Sequence, residues 1–159
     1  MTNIAITLTK TEADDLNAFF EFQLDKEANH LAAFTSKDPN NKTAYMEKYT
    51  KLVSDPGINM QTIRVKDEIA GSISKFVMEG EAEITYWFDR KFWGQGIATR
   101  ALTLFLEVVT ARPLFTHVAK HNLGSRRVLE KNGFVVIGAD QTPPDADGNQ
   151  VEEFILKLD

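Results

Sequence analysis

The chain has 159 residues, of which 43% are hydrophobic and none is cysteine. This length can bury one core but is short for two typical domains, so we expect a single domain over residues 1–159. The lack of cysteine excludes disulfides, a thiolate nucleophile and a cysteine-ligated zinc site. The formal net charge of −5 argues against general affinity for nucleic acid and is compatible with a cationic substrate such as an amine.

The start of the chain carries no targeting signal that can be recognised. It lacks the basic segment and apolar core of a signal peptide, and no apolar run approaches the ~18 residues of a membrane span. We therefore expect a cytoplasmic protein without a membrane partner. The sequence leaves the oligomeric state open, with a homodimer as one option.

The first third of the chain predicts one strand followed by two helices. Residues Ile4 to Leu8 alternate as a strand does, and apolar residues from Leu16 to Leu24 recur at helical spacing. Residues 25–42 show no clear period and are predicted to be a link. A second helical face runs from Tyr45 to Val53.

The middle of the chain predicts an antiparallel meander and then a helix. The strands are expected near 58–65, 69–78 and 82–88, because only short turn-forming segments separate them. The next helix is predicted from Gly96 to Thr110, where apolar residues form one continuous face.

The last third alternates the two kinds of element. A strand at 114–118, a helix at 122–132 and a strand at 134–138 resemble a βαβ unit, so we expect a parallel pair there. A turn-rich loop then leads to a final strand at 151–158, which can return beside its predecessor. The fold class is therefore mixed α/β.

A glycine loop joins the strand at 82–88 to the helix that follows it. Gly94 and Gly96 lie where free backbone amides and the helix dipole attract an anion, and glycine lets phosphate oxygens approach those amides. Arg90, Lys91 and Arg100 add positive charge nearby. A plain tight turn without a ligand is the alternative interpretation of this loop.

Two other phosphate-binding motifs fail at this loop. The Walker pattern requires Lys followed by Ser or Thr after its last glycine, but Ile97 and Ala98 follow Gly96 here. The dinucleotide fingerprint requires a third glycine or alanine within a parallel βαβ unit, whereas the preceding strands look antiparallel.

A second block, from Asn122 to Phe134, reads Asn-Leu-Gly-Ser-Arg-Arg-Val-Leu-Glu-Lys-Asn-Gly-Phe. Together with the loop Trp93 to Ala98, it resembles the two hallmark motifs of the GNAT superfamily of N-acetyltransferases. The branch that it resembles most is the ribosomal-protein-alanine acetyltransferase-like group, on the pair Tyr86-Trp87, the Phe-Trp-Gly loop and the Ser-x-x-Val-Leu-Glu-Lys helix. The resemblance covers about residues 60–158.

The resemblance implies the GNAT fold: a twisted, mostly antiparallel sheet of about seven strands with a splayed parallel pair, and about four helices. It also implies acetyl-CoA as the cofactor. The residues expected to contact acetyl-CoA are Trp87, Phe88, Trp93, Gly94, Gln95, Gly96, Ile97, Ala98, Thr99, Asn122, Ser125, Arg126 and Lys131. For Asn122 the alternative is a helix cap, and for Arg126 and Lys131 it is a solvated charge.

Two residues are candidates for the chemistry. Glu83 would accept the proton of the amine, although it alternates with Glu79 and Glu81 and so fits the wet face of a sheet equally. The resemblance places Ser125 near the sulfur, where it could protonate the thiolate. Many family members carry a tyrosine as the acid where this chain has Leu129.

The acceptor pocket is expected to be roofed by the link and the second helix. His30, Phe34 and Tyr45 lie there and are candidates for substrate binding, together with Tyr86, while an incidental His30 is the alternative. No metal site is expected. The sequence therefore predicts an acetyl-CoA-dependent N-acetyltransferase that acts on a peptide N-terminus or a small-molecule amine. The alternative function is an acyl-CoA-binding sensor of the same fold.

Overall fold

The computed structural model describes residues 4–32, 38–144 and 147–159. The strands are β1 (Ile6–Lys10), β2 (Asn59–Val65), β3 (Glu68–Met78), β4 (Glu81–Phe88), β5 (Leu114–Ala119), β6 (Val135–Gln141) and β7 (Glu152–Leu158). The α-helices are α1 (Leu16–Phe22), α2 (Lys26–Ala32), α3 (Lys42–Ser54), α4 (Ile97–Val108) and α5 (Leu123–Lys131). No helix within these ranges is long and apolar enough to cross a membrane.

The seven strands form one sheet in the order β1-β2-β3-β4-β5-β7-β6. All neighbours are antiparallel except β4 and β5, which confirms the predicted fold class. The prediction of a parallel pair between the strands at 114–118 and 134–138 is wrong, because β7 lies between β5 and β6 and is hydrogen-bonded to both. The crossover through α5 leaves room for one strand, and the last segment of the chain fills it.

The parallel pair β4–β5 is short and then opens. Only Ala82 with Leu114 and Glu83 with Phe115 are paired in register. Just beyond them the buried Thr116 hydroxyl donates to the Ile84 carbonyl at 3.0 Å. The two strands then diverge, as expected for the splayed pair, and a gap opens beside the second half of β4.

The two faces of the sheet differ in their cover. On one face Ile84 and Phe88 belong to the main hydrophobic core with Phe105 of α4 and Leu129 of α5. Glu83, Thr85 and Trp87 alternate with these residues, so their side chains point to the opposite face, where α1 to α3 lie. β4 therefore presents core-forming residues to α4 and α5 and a different set to the first three helices.

Helix α2 is a difference from the sequence prediction, which treated residues 25–42 as a link. Asp25 begins this helix, since its carboxylate accepts from the backbone N–H groups of Glu27 and Ala28 at 3.0 and 3.3 Å. With only Ala28 buried, the helix has too narrow an apolar face to give a clear helical period. The cap at Asp25 is the signal that could have revealed it.

Candidate active site

The gap between β4 and β5 leaves part of the β4 backbone facing it. Because the Ile84 carbonyl points toward β5, alternation along the strand turns the backbone groups of Tyr86 and Phe88 the same way. The groups of Trp87 point toward β3, where Trp87 is in register with Ser72. The structure thus places backbone groups of Tyr86 and Phe88 at the gap, while Trp87 contributes a half-buried side chain to the other face.

Trp93 closes the end of this gap. Its indole N–H donates to the Phe88 carbonyl at 3.1 Å, and the Arg90 guanidinium lies 5.8 Å from the centre of its ring. The GNAT resemblance implies arginine or glutamine at the first position of the phosphate loop, where this chain has Trp93. The indole N–H bonds the protein's own backbone and fixes the loop to the end of β4.

The glycine loop has the conformation that an anion site requires. Gly94 and Gly96 have φ angles of 74° and 75°, a left-handed region that favours glycine. No atom lies within 4 Å of where a Cβ would stand on either residue, so the space above the loop is open. Gly96 caps α4, and the amides of the helix's first turn at Ile97, Ala98 and Thr99 have no acceptor within the helix.

The positive charges near the loop differ in their availability. Arg90 pairs with Asp25 and Glu27 of the α2 region, and Lys91 pairs with Glu68. These ion pairs neutralise two of the three charges that the sequence assigned to the loop. Gln95 also turns back, because its side-chain amide donates to the Lys91 carbonyl at 3.0 Å.

Helix α5 brings a further lysine beside the loop. Asn132, just after this helix, donates to the Thr99 carbonyl at 3.1 Å and accepts from the Thr103 hydroxyl at 2.7 Å. The exposed Lys131 therefore lies near the first turn of α4. Arg126, one and a half turns earlier, pairs with Glu130 at 2.8 Å and lies over the ring of Phe154.

The start of α5 holds Ser125 against β4. Asn122 caps the helix by accepting from the Ser125 backbone N–H at 3.1 Å, as one of its two interpretations predicted. The Ser125 hydroxyl lies 2.6 Å from the Tyr86 hydroxyl, which also approaches the Ser125 carbonyl at 3.2 Å. Tyr86 is therefore a partner of Ser125 on the core side of β4, and its role in substrate binding remains a prediction.

The Tyr86 hydroxyl is a polar group beside Ser125 of a kind that the Leu129 side chain cannot provide. Leu129 is fully buried in the core and has no polar atom in its side chain. Burial raises the pKa of Tyr86 to about 12, and the hydrogen bond with Ser125 opposes this shift. Tyr86 therefore stays protonated at neutral pH and can donate to Ser125.

Glu83 lies on the other face of β4 in a cluster that crosses the sheet. Its carboxylate is 3.6 Å from Nε2 of His117 on β5, and Nδ1 of the same imidazole is 3.0 Å from Glu153 on β7. Asp140 on β6 completes the group at 3.9 Å from His117. Only 13% of the Glu83 side chain is exposed, so this residue is not simply part of a wet face.

Burial and like charges disfavour ionisation in this cluster. Desolvation raises the pKa of Glu83; His117 opposes this shift, whereas the neighbouring carboxylates Glu81, Glu79 and Asp140 add to it. The pKa of Glu153 is raised by desolvation and by a hydrogen bond with Asp140, while His117 lowers it. A carboxylate with a raised pKa is a better proton acceptor, which suits the role predicted for Glu83.

Two residues predicted to roof the acceptor pocket, His30 and Tyr45, have different aromatic neighbours in the described part of the chain. Tyr45 of α3 packs against Phe20 of α1 and Tyr49 of α3, with ring centres 5.3 and 4.2 Å away. His30 stacks on His121 at 4.6 Å, and its carbonyl is 2.6 Å from Nε2 of that residue. Phe34 lies outside the described residues.

The chain matches the family model of the acetyltransferase (GNAT) domain over residues 5–135. It therefore belongs to the GNAT acetyltransferases, which take the acetyl group from acetyl-CoA. A search among curated protein sequences gives no match.

Solved structures share the fold over nearly the whole chain. Mycobacterium smegmatis RimJ in complex with CoA-disulfide is 22% identical with a TM-score of 0.77, covering 96% of this chain and 81% of that chain. The microcin C7 self-immunity acetyltransferase MccE, in complex with acetyl-CoA and AMP, is 19% identical with a TM-score of 0.78 over 96% and 91%. Spermidine N-acetyltransferase from Vibrio cholerae, in complex with CoA and spermine, is 18% identical with a TM-score of 0.76 over 96% and 94%.

The sequence analysis did not single out His117, and it assigned Tyr86 to substrate binding, whereas the structure shows its hydroxyl beside Ser125. His117 lies at the centre of a strand that was recognised, but its partners come from strands far along the chain. Its alternation with the buried Thr116 and Val118 was the available signal, since it placed an imidazole on the face away from the core.

Proposed function

We propose that this protein transfers an acetyl group from acetyl-CoA to a primary amine by direct transfer in a ternary complex. The observation that carries the proposal is the placement of two candidate proton-transfer groups on opposite faces of β4. Glu83 lies on one face and the Ser125–Tyr86 pair on the other, beside the gap where β4 leaves β5. A reacting thioester in that gap would have an acceptor for the amine proton on one side and a donor for the sulfur on the other.

The described residues fit the cofactor. The open space above Gly94 and Gly96 and the free amides of Ile97 to Thr99 suit a pyrophosphate, with Lys131 supplying charge. The backbone groups of Tyr86 and Phe88 in the gap suit the amides of a pantetheine arm. Acetyl-CoA supplies an acyl group activated as a thioester.

Glu83 and Ser125 divide the proton transfers between them. Glu83 accepts a proton from the substrate ammonium, directly or through one water, so that the amine becomes a nucleophile. The Ser125 hydroxyl donates toward the sulfur while the Tyr86 hydroxyl donates to Ser125 in turn. The sequence contains no cysteine, so no acyl-cysteine intermediate takes part.

The acceptor in this proposal is a cationic amine, either a peptide N-terminus or a small molecule. The carboxylates of Glu83, Asp140 and Glu153 give the acceptor face of the sheet a negative field, which attracts an ammonium group. This chain shares its fold with RimJ and with the spermidine N-acetyltransferase, so both kinds of amine remain candidate acceptors in the proposal. The ribosomal-protein-alanine branch rests on Tyr86-Trp87 and the Phe-Trp-Gly loop.

A thiol-release assay tests the function directly. With acetyl-CoA, spermidine and a peptide that begins with alanine, we expect release of free CoA that depends on one of the two amines. Glu83→Gln should lower turnover by ~10²-fold or more, since a positioned proton acceptor contributes at least that much. Glu152→Gln, an exposed carboxylate on β7, is the matched control and should change turnover little.

Two results would contradict the proposal. Acetyl-CoA binding without turnover on any amine would indicate the acyl-CoA sensor, the function favoured by Leu129 where the family carries a tyrosine. A Glu83→Gln variant within about threefold of the wild-type rate would remove Glu83 from the mechanism.

A further inference from the structure

We propose that His117 is a positioning residue that holds Glu83 and carries its proton away, in a relay from Glu83 through the imidazole toward solvent. This inference rests on the proposed function, because it assigns the route of the proton that Glu83 accepts. His117 belongs to neither of the two motifs that define the family in this chain.

The geometry places the imidazole between two carboxylates. Nδ1 of His117 is 3.0 Å from Glu153, a hydrogen-bond distance, while Nε2 faces Glu83 at 3.6 Å. A neutral imidazole that donates from Nδ1 to Glu153 has its lone pair on Nε2, the ring nitrogen 3.6 Å from Glu83. Glu153 therefore selects the tautomer in which His117 can accept a proton from Glu83.

The backbone fixes this arrangement. Phe115 of β5 is paired with Glu83, and the Thr116 hydroxyl ties β5 to β4 at the Ile84 carbonyl. His117 follows directly on the same face as Glu83. The side chain of His117 is 34% exposed against 13% for Glu83, so the imidazole has the better path to solvent.

The proton balance of the relay is simple. The substrate ammonium loses a proton to the Glu83 carboxylate and becomes a neutral amine. The protonated Glu83 then passes its proton to Nε2 of His117, which becomes an imidazolium stabilised by Glu153. The imidazolium releases the Nε2 proton to water, and both residues return to their starting states.

Several charged groups face the relay from the surrounding strands. Glu79 and Glu81 lie on the β4 side of Glu83, and Asp140 of β6 lies beside Glu153 and 3.9 Å from Nδ1 of His117. His117, Asp140 and Glu153 also bring ligand-type atoms within 4.8 Å of one another, so a metal ion is the rival occupant. Chelation by EDTA distinguishes such a metal site from the relay.

The resting tautomer of His117 is a test that does not depend on turnover. The chain has three histidines, so 15N-resolved NMR of the imidazole rings, assigned with single His→Gln variants, can identify each ring. We expect His117 in the Nδ1–H form in the full-length protein, and we expect Glu153→Gln to shift the population of that form. A wild-type His117 that is predominantly protonated on Nε2 would overturn the relay.

Kinetics tests the same proposal with acetyl-CoA and the faster of spermidine and the alanine peptide. His117→Gln keeps a side-chain donor for Glu153 but cannot carry the proton, so we expect kcat to fall about tenfold with a small change in KM. His117→Ala should regain part of the lost rate with added imidazole, which a merely structural role would not allow. His121→Gln is the matched control: its kcat should stay at the wild-type value, and added imidazole should not change it.

The outcomes separate the relay from the proposed function. Loss of activity in Glu83→Gln with full activity in His117→Gln would overturn the relay alone. Full activity in Glu83→Gln would overturn the role of Glu83 and the relay with it. Loss of wild-type activity in EDTA, restored by Zn²⁺, would assign the imidazole to a metal and overturn the relay.

Discussion

At the scale of single residues, the proposed chemistry depends on pairs of side chains that are distant in sequence and adjacent in the fold. Ser125 was predicted as a candidate acid from its place in the second motif, and that role remains a prediction. The structure adds Tyr86, whose hydroxyl lies 2.6 Å from that of Ser125. In the proposed mechanism, this tyrosine on β4 supplies the phenol that the family usually carries on the helix, where this chain has a buried leucine.

Ser125→Ala and Tyr86→Phe test this pair. We expect Ser125→Ala to lower kcat about tenfold and Tyr86→Phe to lower it less, because a thiolate leaving group with a thiol pKa of ~8.5 needs only moderate assistance. Because the two hydroxyls act in sequence, the double variant should be little slower than Ser125→Ala. Steady-state kinetics on the four proteins gives the answer.

Tyr49→Phe is the control for the tyrosine substitution. It removes the same hydroxyl from a tyrosine of α3 whose pKa burial also raises. We expect no change in kcat. If the losses of Ser125→Ala and Tyr86→Phe multiplied fully in the double variant, the two hydroxyls would act independently and the pair would not be a relay.

At the scale of elements, the sequence predicted the β4–α4 connection well because its constraints are local. A glycine with positive φ at the start of an amphipathic helix can be recognised from the order of residue types, and Gly96 has a φ of 75° at the cap of α4. Helix α2 was missed because its narrow buried face gives no period. Local signals therefore predicted the elements that have strong caps and clear faces.

Gly96→Ala tests the role of the loop. We expect KM for acetyl-CoA to rise about tenfold, because the methyl group enters the open space above the amides and the left-handed backbone is strained by ~1–2 kcal/mol. Isothermal titration with CoA measures the affinity for the cofactor, and steady-state kinetics measures KM and kcat.

Gly80→Ala separates backbone strain from cofactor binding. Gly80, in the turn between β3 and β4, has a φ of 82° and the same open surroundings. It should lose similar stability in thermal unfolding but keep the wild-type KM for acetyl-CoA. An equal rise of KM in both variants would mean that general destabilisation, and not the loop, weakens binding.

At the scale of the whole molecule, the buried carboxylates of Glu83 and Glu153 lower the free energy of unfolding at neutral pH. Burial raises the pKa values of Glu83 and Glu153, so the folded state binds more protons than the unfolded state between the ordinary and the raised values. The free energy of unfolding therefore falls as pH rises through this window. The same desolvation that suits Glu83 to its proposed role as proton acceptor destabilises the protein.

Glu83→Gln should consequently raise the melting temperature while it lowers turnover. We expect the gain over wild type to be small below the ordinary pKa of a glutamate and to reach its maximum above the raised pKa. Thermal unfolding of both proteins between pH 4 and pH 8 measures it, with Glu152→Gln as the exposed control. A gain that was largest at the acidic end would contradict the assigned direction of the shift.

The single domain and the cytoplasmic location remain predictions from length and composition.

The sequence alone determined the family, the order of nearly all elements and the glycine loop, because these depend on residues close together in the chain. Alternation, helical spacing and two motifs carry that information without any knowledge of the sheet order. Tertiary structure decided the partners in the site. Ser125 meets Tyr86 across 39 positions of sequence, and His117 meets Glu153 across 36, because α5 packs on β4 and β7 inserts beside β5. Such contacts depend on which strands become neighbours and in which register, and no local pattern specifies either.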